Sequence, residues 1–580
     1  MVKFRIALAQ INTTVGDFKG NTDKIVNAIK QARDIKANLV AFPELAICGY
    51  PPEDLILKPH FVKENLRQLN KISSTSRSIS VVVGLVHQEK GQVYNAAAFL
   101  HHGRLVDVYH KILLPNYGVF DEKRYFQPGQ HCPIFMIGDV IVGINICEDI
   151  WHSDGPHHWQ ARSGGAHLII NISASPYHEK KIAERERLLK TCSRENKVFT
   201  AYVNLVGGQD ELVFDGGSMI FAPDGRLIAR GNEFKEDFIV ADLDIKVFSQ
   251  SRRQSCSSSS VIPAKAGIRL KQIKLTSIQP PIKITVPKKL SLLEEIYNAL
   301  VLGTRDYIRK NGFQKVVLGL SGGIDSALVA AIACDAIGAE NVKALTMPSP
   351  YSSAETQRDS EIVALNLGIE LIKIPITDIF QSYRYQLKDH FIGRPEDTAE
   401  ENLQARVRGN FLMFFSNKLG WLVLTTGNKS EMSTGYCTLY GDMAGGFAVI
   451  KDVPKTLVYK LADFYNKKLI LNSGSGKGQK VIPLSIFRRP PMAELRPNQK
   501  DQDSLPPYEI LDPILDAYVE QDLGFSEIIK KGFDEKIVQK VISLVDSNEY
   551  KRRQAPPGVK ITPKAFGKDR RMPITNKYRG

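Results

Sequence analysis

The sequence contains few features of a membrane protein or of a disulfide-stabilised protein. No apolar run approaches the roughly 18 residues that a membrane-spanning helix needs, and the first apolar segment is interrupted by Arg5 and lacks a small-residue cleavage site. Seven cysteines are scattered without CxxC spacing, which argues against a zinc ribbon and a disulfide framework and is typical of a reducing cytosol. We therefore expect a cytoplasmic protein with no signal peptide.

The composition is that of a large globular enzyme. Of the 580 residues, 43% are hydrophobic and 24% are charged, so the chain is long enough for at least two hydrophobic cores. The net charge of +15 favours polyanionic ligands, either nucleic acid or small substrates such as nucleotides. Composition does not choose between these two classes of partner.

Two α/β patterns, separated by a serine-rich basic segment, predict the domain organisation. Apolar strands alternate with amphipathic helices up to about residue 245, and the alternation resumes with a helix over 291–312. Between them, SRRQSCSSSS and a proline-containing stretch lack periodicity. We predict a first domain over 1–248, a linker with an insertion over 249–287, and a second domain with a parallel sheet over 288–580.

The strongest local motif is a glycine-rich loop between the strand KVVLGL and an apolar helix. It consists of Gly319, Leu320, Ser321, Gly322, Gly323, Ile324, Asp325 and Ser326. Its backbone N–H groups and the helix N-terminus would bind phosphate. Three interpretations compete: a structural glycine turn, a serine hydrolase because GLSGG satisfies G-x-S-x-G, and the SGGxDS loop of ATP pyrophosphatases. The sequence has no G-x4-G-K-[ST] motif, which excludes a Walker A loop.

Later segments of the second domain favour the ATP pyrophosphatase interpretation. The stretch LTTGNKSE follows a strand, and its Glu431 would pair with Asp325 as an oxygen ligand of Mg²⁺. The stretch TAEENLQARVR predicts a helix that is capped by Thr398, with Glu401 three residues later. Three residues of this helix are candidates for binding an anionic substrate: Asn402, Arg406 and Arg408.

Taken together, these motifs resemble the synthetase domain of the NAD synthetase family. The resemblance lies in GLSGGIDSA, ENLQARVRG, TTGNKSE, YGDMAGGFAVIKDVPKT and RPPMAELRPNQKDQDSLPPY, from about residue 290 onward. It implies that ATP adenylates the nicotinate carboxylate of deamido-NAD, releasing pyrophosphate, and that ammonia then displaces AMP. The residues implied are the loop 319–326, Thr426 and Lys451 for ATP; Asn402, Glu431, Asp442 and Lys551 for deamido-NAD; Asp325 and Glu431 for Mg²⁺; and Ser504 on a mobile loop near the phosphates.

The first domain contains a potential source of that ammonia. Glu44 follows a strand in AFPELAICGY, Lys111 lies in VYHKILLPNYGVFDE, and Cys147 ends a strand in VGINICEDIWH. In this order the motifs resemble the Glu–Lys–Cys triad of the nitrilase superfamily, over about residues 3–245. The resemblance implies that Cys147 attacks the glutamine side-chain carbonyl, that Lys111 lowers the pKa of the thiol and pairs with the oxyanion, and that Glu44 is the general base.

The glutamine-dependent synthetases also suggest which residues surround that triad. Tyr117, Ser175 and Lys181 are expected to hold glutamine, and Glu122 is expected to support the catalytic lysine. Lys180 stands where the family usually has glycine, so the choice between Lys180 and Lys181 stays open.

Other enzyme classes require residues that this sequence places elsewhere or lacks. The N-terminal-nucleophile amidotransferases need cysteine at position 2, where this chain has Val2, and the Cys–His–Glu class needs a G-x-C-x-G elbow around its cysteine. A tRNA-thiolating pyrophosphatase would explain the basic charge, but it needs a relay cysteine near the loop, and Cys334 on the following apolar helix is typical of a core residue. A non-catalytic nucleotide-binding module is the third alternative, and the Glu–Lys–Cys set argues against it.

The sequence therefore predicts a two-domain α/β enzyme. We expect a nitrilase-like α/β/β/α sandwich followed by a Rossmann-like, parallel-sheet ATP pyrophosphatase domain. The expected reaction is the amidation of deamido-NAD with ammonia from glutamine, with ATP as co-substrate and Mg²⁺. We expect a homo-oligomer, and we expect neither nucleic acid nor a membrane as a partner.

Overall fold

The computed structural model describes residues 1–247, 286–472, 480–497 and 499–578. The chain divides into two compact units, Met1–Gln209 with Val213–Leu290 and Asp210–Leu212 with Ser291–Gly580. Residues 249–285 of the predicted linker lie outside the described residues. The boundaries at 248 and 287 therefore stay a prediction.

The strands before residue 247 follow the apolar segments of the sequence. They are β1 (Val2–Gln10), β2 (Leu39–Ala41), β3 (Ser80–Glu89), β4 (Gln92–His101), β5 (Arg104–His110), β6 (Ile134–Ile137), β7 (Val140–Ile146), β8 (Leu168–Ser173), β9 (Phe199–Asn204), β10 (Val206–Gln209), β11 (Leu212–Asp215), β12 (Met219–Phe221), β13 (Leu227–Arg230) and β14 (Asp237–Ile245). Their helices are α1 (Phe18–Asp34), α2 (Pro59–Thr75), α3 (Pro156–Arg162) and α4 (Lys181–Asn196).

Two six-stranded sheets organise the first unit. Their strand orders are β14-β1-β2-β3-β4-β5 and β13-β12-β9-β8-β7-β6. Strand β2 is parallel to β1 and β3, and β8 is parallel to β7 and β9. The segments that carry Glu44, Cys147 and Ser175 follow the C-terminal ends of β2, β7 and β8, so each candidate residue stands at the end of a parallel strand.

Four layers stack in this unit. Buried residues such as Ile6 and Ile144 form the core between the two sheets. On the outer face of the first sheet, α1 and α2 contribute Ile29 and Ile72 to a second core, and α4 packs Leu189 against the second sheet. This arrangement confirms the predicted α/β/β/α sandwich.

Three edge strands, β5, β6 and β13, are absent from the sequence-based prediction, as are the hairpin strands β10 and β11. An edge strand has one neighbour and buries less apolar surface, so its sequence alternates less clearly. In β5, for example, only Tyr109 is fully buried. The strands predicted before Glu44, at Cys147 and in KVVLGL are present as Leu39–Ala41, Val140–Ile146 and Val316–Gly319.

The second unit contains one parallel sheet. Its strands are β15 (Val316–Gly319), β16 (Val342–Thr346), β17 (Glu370–Lys373), β18 (Leu422–Thr425) and β19 (Phe447–Ala448). Their order is β17-β16-β15-β18-β19, and every neighbouring pair is parallel. The sheet grows from β15 first toward β16 and β17 and then, on its other side, toward β18 and β19. Such a reversal of strand order leaves room for a ligand at the carboxyl ends of the strands. This sheet confirms the predicted fold class.

Helices surround that sheet and form the region after it. They are α5 (Leu292–Lys310), α6 (Ile324–Ile337), α7 (Ala354–Leu367), α8 (Thr377–Leu387), α9 (Thr398–Leu419), α10 (Lys429–Thr434), α11 (Lys455–Asn472), α12 (Leu484–Arg488), α13 (Tyr508–Leu515), α14 (Phe525–Lys530), α15 (Glu535–Ser547) and α16 (Glu549–Arg552). None of the described helices combines the length and apolar character needed to cross a membrane.

The start of α9 differs from the prediction by one residue. Asp397 caps the helix, because its side chain accepts a hydrogen bond from the Ala399 N–H at 2.7 Å and Glu400 completes the capping box. Thr398, predicted as the cap, is the first helical residue. Asp and Thr both cap helices well, so residue type alone did not show which of the two would be the cap.

Candidate active sites

Cys147 lies in a strained turn at the end of β7. It is 3% exposed and has a φ angle of +44°, a conformation that non-glycine residues seldom adopt. Asp149 holds the turn by accepting a hydrogen bond from the Ile146 N–H at 3.0 Å, and Asn171 donates to the Cys147 carbonyl at 3.4 Å. The predicted position of the cysteine, at a strand end before a turn, is confirmed.

Glu44 is buried in the same unit and uses both carboxylate oxygens. Its Oε1 atom accepts from Asn95 Nδ2 at 2.6 Å and from Lys111 Nζ at 2.7 Å. Its Oε2 atom accepts from the backbone N–H of Ala174 at 2.9 Å. These three donors, from separate segments of the chain, fix the orientation of the carboxylate.

Lys111 lies between two carboxylates in this buried group. Its Nζ is 2.9 Å from Glu122 Oε1 as well as 2.7 Å from Glu44. Burial opposes the charge of Lys111, but Glu122 and Glu44 outweigh that effect and raise its pKa well above the ordinary value. Burial raises the pKa of Glu122 to about 7, although Lys111 acts in the opposite direction. The predicted support of the lysine by Glu122 is thus a direct ion pair, to which Tyr50 adds a hydrogen bond at 3.1 Å.

The surroundings of Cys147 disfavour its thiolate form. Burial and the charge of Glu44 raise its pKa well above the ordinary value, and the lowering effect of Lys111 is smaller. The sequence-based expectation that Lys111 lowers the pKa of the thiol holds for that interaction, but burial and Glu44 have the larger effect. A protonated thiol beside a fixed carboxylate is the arrangement for general-base activation.

Tyr117 borders a cavity of about 650 Å³ whose lining also includes Glu148 and His152. The Tyr117 hydroxyl donates to Glu148 Oε2 at 2.8 Å, and His152 Nε2 lies 3.4 Å from Glu148 Oε1. Glu148 directly follows Cys147, yet it is missing from the predicted site. An acidic residue directly after the candidate nucleophile is a signal that sequence reasoning could have used.

Lys181 and Lys180 have different environments. Lys181 is the first residue of α4; its Nζ lies 4.1 Å from the centre of the Trp151 ring and 3.0 Å from Glu184. Lys180 has a φ angle of +67° and a side chain that is 69% exposed. Trp151 lies on the turn that carries Cys147, so the geometry favours Lys181 over Lys180.

Ser175 follows β8, and its backbone is held by Asn204. The Ser175 N–H donates to Asn204 Oδ1 at 2.9 Å, and Asn204 Nδ2 donates back to the Ser175 carbonyl at 3.4 Å. Ser175 is 5% exposed. Asn204 therefore fixes the backbone that follows Ala174, the residue whose N–H donates to Glu44.

The glycine-rich loop that was predicted to bind phosphate lies between β15 and α6 in the second unit. Gly322 has a φ of +80°, and a Cβ atom there would lie 2.1 Å from the Thr356 carbonyl oxygen, so only glycine fits. The Ser321 hydroxyl contacts Ser326 Oγ and the Gly323 N–H, at 3.2 and 3.3 Å. Neither group is a base, which contradicts the serine hydrolase interpretation of GLSGG.

Asp325 and Glu431 both lie beside Lys455. Lys455 Nζ lies 2.5 Å from Asp325 Oδ2 and 3.4 Å from Glu431 Oε1. Asn428 Nδ2 donates to Asp325 Oδ1 at 2.9 Å. Burial and the nearby charges of Asp325 and Asp501 raise the pKa of Glu431 to about 8, against the effect of Lys455. The group is therefore crowded with negative charge.

A second buried lysine anchors the segment that carries these residues. Lys429 Nζ donates to Glu520 Oε1 at 2.7 Å and to Thr562 Oγ1 at 2.7 Å, and it lies 2.9 Å from Asp452. Lys429 begins α10 directly after Asn428. This arrangement, the Lys429 anchor, ties Asn428 and Glu431 to Asp452 and also to Glu520 and Thr562, which lie more than 80 positions away along the chain.

A cleft of about 310 Å³ opens at the loop. Its lining includes all of 319–326, Thr426, Glu431, Asp442 and Lys455. Lys451, predicted to bind ATP, lies elsewhere: its Nζ donates to the Pro556 carbonyl at 2.9 Å. Lys455, four residues later, lines the cleft and was missed by sequence reasoning.

The residues predicted for deamido-NAD gather around Thr438. Its hydroxyl donates to Asn402 Oδ1 at 2.6 Å and its N–H donates to Asp442 Oδ1 at 2.7 Å. Lys551 Nζ donates to the carbonyls of Gly435 and Cys437, at 2.7 and 3.0 Å. The structure therefore brings these distant sequence segments together beside Glu431, while Ser504 is exposed after a short 3-10 turn.

Comparison with known proteins identifies the family of each unit. The carbon-nitrogen hydrolase family model matches residues 5–253, and the NAD synthase model matches residues 296–555. A glutamine-dependent NAD(+) synthetase of Thermotoga maritima is 50% identical over 100% of both chains, and one of Aquifex aeolicus is 48% identical over 99% of both. A solved structure of the Acinetobacter baumannii enzyme with ADP is 41% identical, covers 99% of this chain and 98% of its own, and superposes with a TM-score of 0.73. This chain belongs to the glutamine-dependent NAD(+) synthetase family.

Proposed function

We propose that this protein converts deamido-NAD to NAD with ammonia that it releases from glutamine, and that ATP is consumed to AMP and pyrophosphate. The observation that carries this function is the presence of two complementary sites in one chain. One site has a buried thiol beside a fixed carboxylate and a lysine. The other has a phosphate loop beside paired carboxylates. The family uses ATP, in agreement with the loop.

Glutamine hydrolysis follows from the first group of residues. As Cys147 Sγ attacks the side-chain carbonyl carbon, the thiol proton passes to Glu44, and Lys111 neutralises the negative charge that forms on the oxygen. The carbon–nitrogen bond then breaks, Glu44 returns the proton, and ammonia leaves. Glu44 next deprotonates a water molecule that attacks the thioester, so glutamate departs and the thiol is restored.

Adenylation turns an unreactive carboxylate into an acyl donor. The nicotinate carboxylate attacks the α-phosphorus of ATP and pyrophosphate leaves; ammonia then attacks the acyl carbon and AMP leaves. The N–H groups of the loop and the ammonium of Lys455 are suited to stabilise the negative charge that develops on the leaving pyrophosphate. Asn402, Asp442 and Lys551 would hold deamido-NAD beside Glu431.

We also propose that Mg²⁺ binds at Asp325 and Glu431. The fit is supported by the raised pKa of Glu431, because burial and the nearby charges of Asp325 and Asp501 destabilise its carboxylate, and a bound cation would offset both effects. Among the described residues, no group of three His, Cys, Asp or Glu side chains could hold a metal. Two carboxylates suffice here, since Mg²⁺ usually takes its other ligands from water and substrate phosphates. The ion would supply charge neutralisation for the phosphates.

The direct test is a product assay with the whole chain. Deamido-NAD, ATP and glutamine should give NAD, AMP, pyrophosphate and glutamate in equal amounts. Absence of NAD under these conditions would exclude the proposed function. A tRNA-thiolating activity is disfavoured because no cysteine is among the described residues that line the cleft.

We propose that Lys181, rather than Lys180, helps to hold glutamine. Lys181→Met should raise the KM for glutamine by about 10- to 100-fold, the contribution of a charge-assisted hydrogen bond, because an ammonium would pair with the α-carboxylate. Lys180→Met serves as the matched control and should keep the KM within a factor of about 2. Steady-state glutaminase kinetics measure both values, and a larger effect at Lys180 would reverse the assignment.

We propose that the protein assembles as a homo-oligomer through α8 and α9. These neighbouring helices expose large apolar side chains, including Phe414 at 67% and Tyr385 at 66%, and monomers rarely leave such surfaces open. Phe414→Asp should lower the mass found by sedimentation velocity, while Leu57→Asp, at an exposed position in the first unit, should not. An unchanged mass for Phe414→Asp, or a monomeric parent protein, would refute this interface.

We propose a cytoplasmic location and a domain division at 1–248, 249–287 and 288–580. The six described cysteines are free thiols, which is consistent with a reducing compartment.

A further inference from the structure

Arg408 lines the cleft at the glycine-rich loop, whereas Arg406, two residues earlier on α9, is not among the lining residues. Both were candidates for an anionic substrate. On α9, Arg408 lines the cleft together with Ala405, Gly409 and Leu412. Arg406 is exposed, and its Nε donates to the Leu439 carbonyl at 3.2 Å. The helix therefore turns one arginine of the pair toward the cleft.

The guanidinium of Arg408 is held at one end and is free at the other. Its Nε donates to the Met347 carbonyl at 3.0 Å. Among the described residues, its two terminal Nη groups have no hydrogen-bond partner. Burial lowers the pKa of Arg408 to about 10, and the nearby charge of Glu494 only partly opposes this shift. A desolvated cation with unused donors is costly unless an anion binds it.

The surroundings of Arg408 connect it to the phosphate loop. Glu494 accepts a hydrogen bond from Thr356 Oγ1 at 2.9 Å. The Thr356 carbonyl in turn lies directly against Gly322 of the loop. The residues expected to hold deamido-NAD gather instead around Thr438. Arg408 thus lies on the ATP side of the cleft.

We propose that Arg408 is a substrate-contacting residue whose Nη groups donate to a phosphate oxygen of ATP. This inference rests on the proposed adenylating function of the second unit. The hydrogen bond from Nε to the Met347 carbonyl orients the planar guanidinium. Its two Nη groups can then donate two parallel hydrogen bonds to one phosphate. Lys455 in the same cleft is paired with Asp325 and Glu431, and Arg408 adds a second cation, which no carboxylate of the described residues binds directly.

Ammonium-driven synthesis tests this role without involving the glutaminase. Arg408→Met should raise the KM for ATP by about 10- to 100-fold, which is the effect of a lost charge-assisted hydrogen bond. The KM for deamido-NAD should change by less than about 2-fold. Arg408→Lys should recover part of the loss, because it keeps the charge but not the fork. Arg358→Met, at an exposed position on α7, is the matched control and should behave as the parent protein.

Direct binding measurements distinguish the contribution of the phosphates to affinity from that of the nucleoside. Calorimetric titration should show that Arg408→Met loses affinity for α,β-methylene-ATP and keeps its affinity for adenosine. Unchanged binding of α,β-methylene-ATP, or a rise in the KM for deamido-NAD in place of the KM for ATP, would overturn the inference. If the parent protein itself makes no NAD from ammonium, the proposed function has failed, and that result is distinguishable from failure of Arg408 alone.

Discussion

Cys147→Ala should lose glutamine-dependent NAD synthesis and keep ammonium-dependent synthesis. We expect the glutamine-driven rate to fall by at least about 10⁴-fold, because removal of a nucleophile abolishes the acyl intermediate. The side chains held beside it, Glu44, Lys111 and Glu122, can move protons or pair with charge but cannot form the thioester. The glycine-rich loop is untouched, so ammonium should still be used at the parent rate. NAD formation with each nitrogen donor measures both halves of the result.

Cys192→Ala is the matched control for this experiment. Cys192 is also buried in the first unit, at 4% exposure, and packs between α4 and the second sheet. Its replacement should keep both activities. Glutamine-driven synthesis by Cys147→Ala would exclude the nitrilase-like mechanism. Loss of ammonium-driven synthesis by a folded Cys147→Ala protein would show that the two activities are not separable.

Asp325→Asn should abolish NAD synthesis with either nitrogen donor while glutamine hydrolysis continues. We expect adenylation to fall by about 10²- to 10³-fold or more, the usual effect of removing a charged group from a preorganised site. The variant would lose the ion pair with Lys455 and the carboxylate proposed to bind Mg²⁺, although an amide oxygen can still accept the hydrogen bond of Asn428. Pyrophosphate release and glutamate formation, measured on the same protein, distinguish the two chemistries.

Asp335→Asn provides the comparison on the same helix. Asp335 accepts a hydrogen bond from the Tyr297 hydroxyl at 2.9 Å and lies 3.3 Å from Lys468, outside the lining of the cleft. Its replacement should leave pyrophosphate release near the parent level. Normal pyrophosphate release by Asp325→Asn would reject the assignment of Asp325 to the adenylating chemistry.

The fold class was predictable from the sequence because buried strands produce continuous apolar runs. Edge strands such as β5 were missed because they bury little apolar surface, and their residue pattern resembles that of a polar loop. The glycine-rich loop was also predictable, since its chemistry depends on neighbouring residues and on backbone geometry at Gly322. Local motifs of this kind can be recognised from the sequence alone because their residues are consecutive.

Contacts between distant segments were less predictable. Lys451 was assigned to ATP from a motif that also contains Lys455, and the motif does not show that Lys455 is the residue that reaches Asp325, some 130 residues earlier. One physical signal was available: Lys455 is the first residue of α11, where a cation opposes the helix dipole and needs a compensating partner. The net pKa shift of Cys147 was likewise hidden, because burial depends on the whole fold.

The Lys429 anchor has a consequence for the order in which the chain becomes active during translation. The strands and residues of the glutaminase site lie before residue 247, so they can fold as soon as that part leaves the ribosome. The adenylating site needs Thr562 to complete the contacts of Lys429. At ribosomal speeds of about 5 to 20 residues per second, the second site is complete roughly tens of seconds after the first. A nascent chain can therefore acquire a thiol nucleophile well before it has an acceptor for the ammonia.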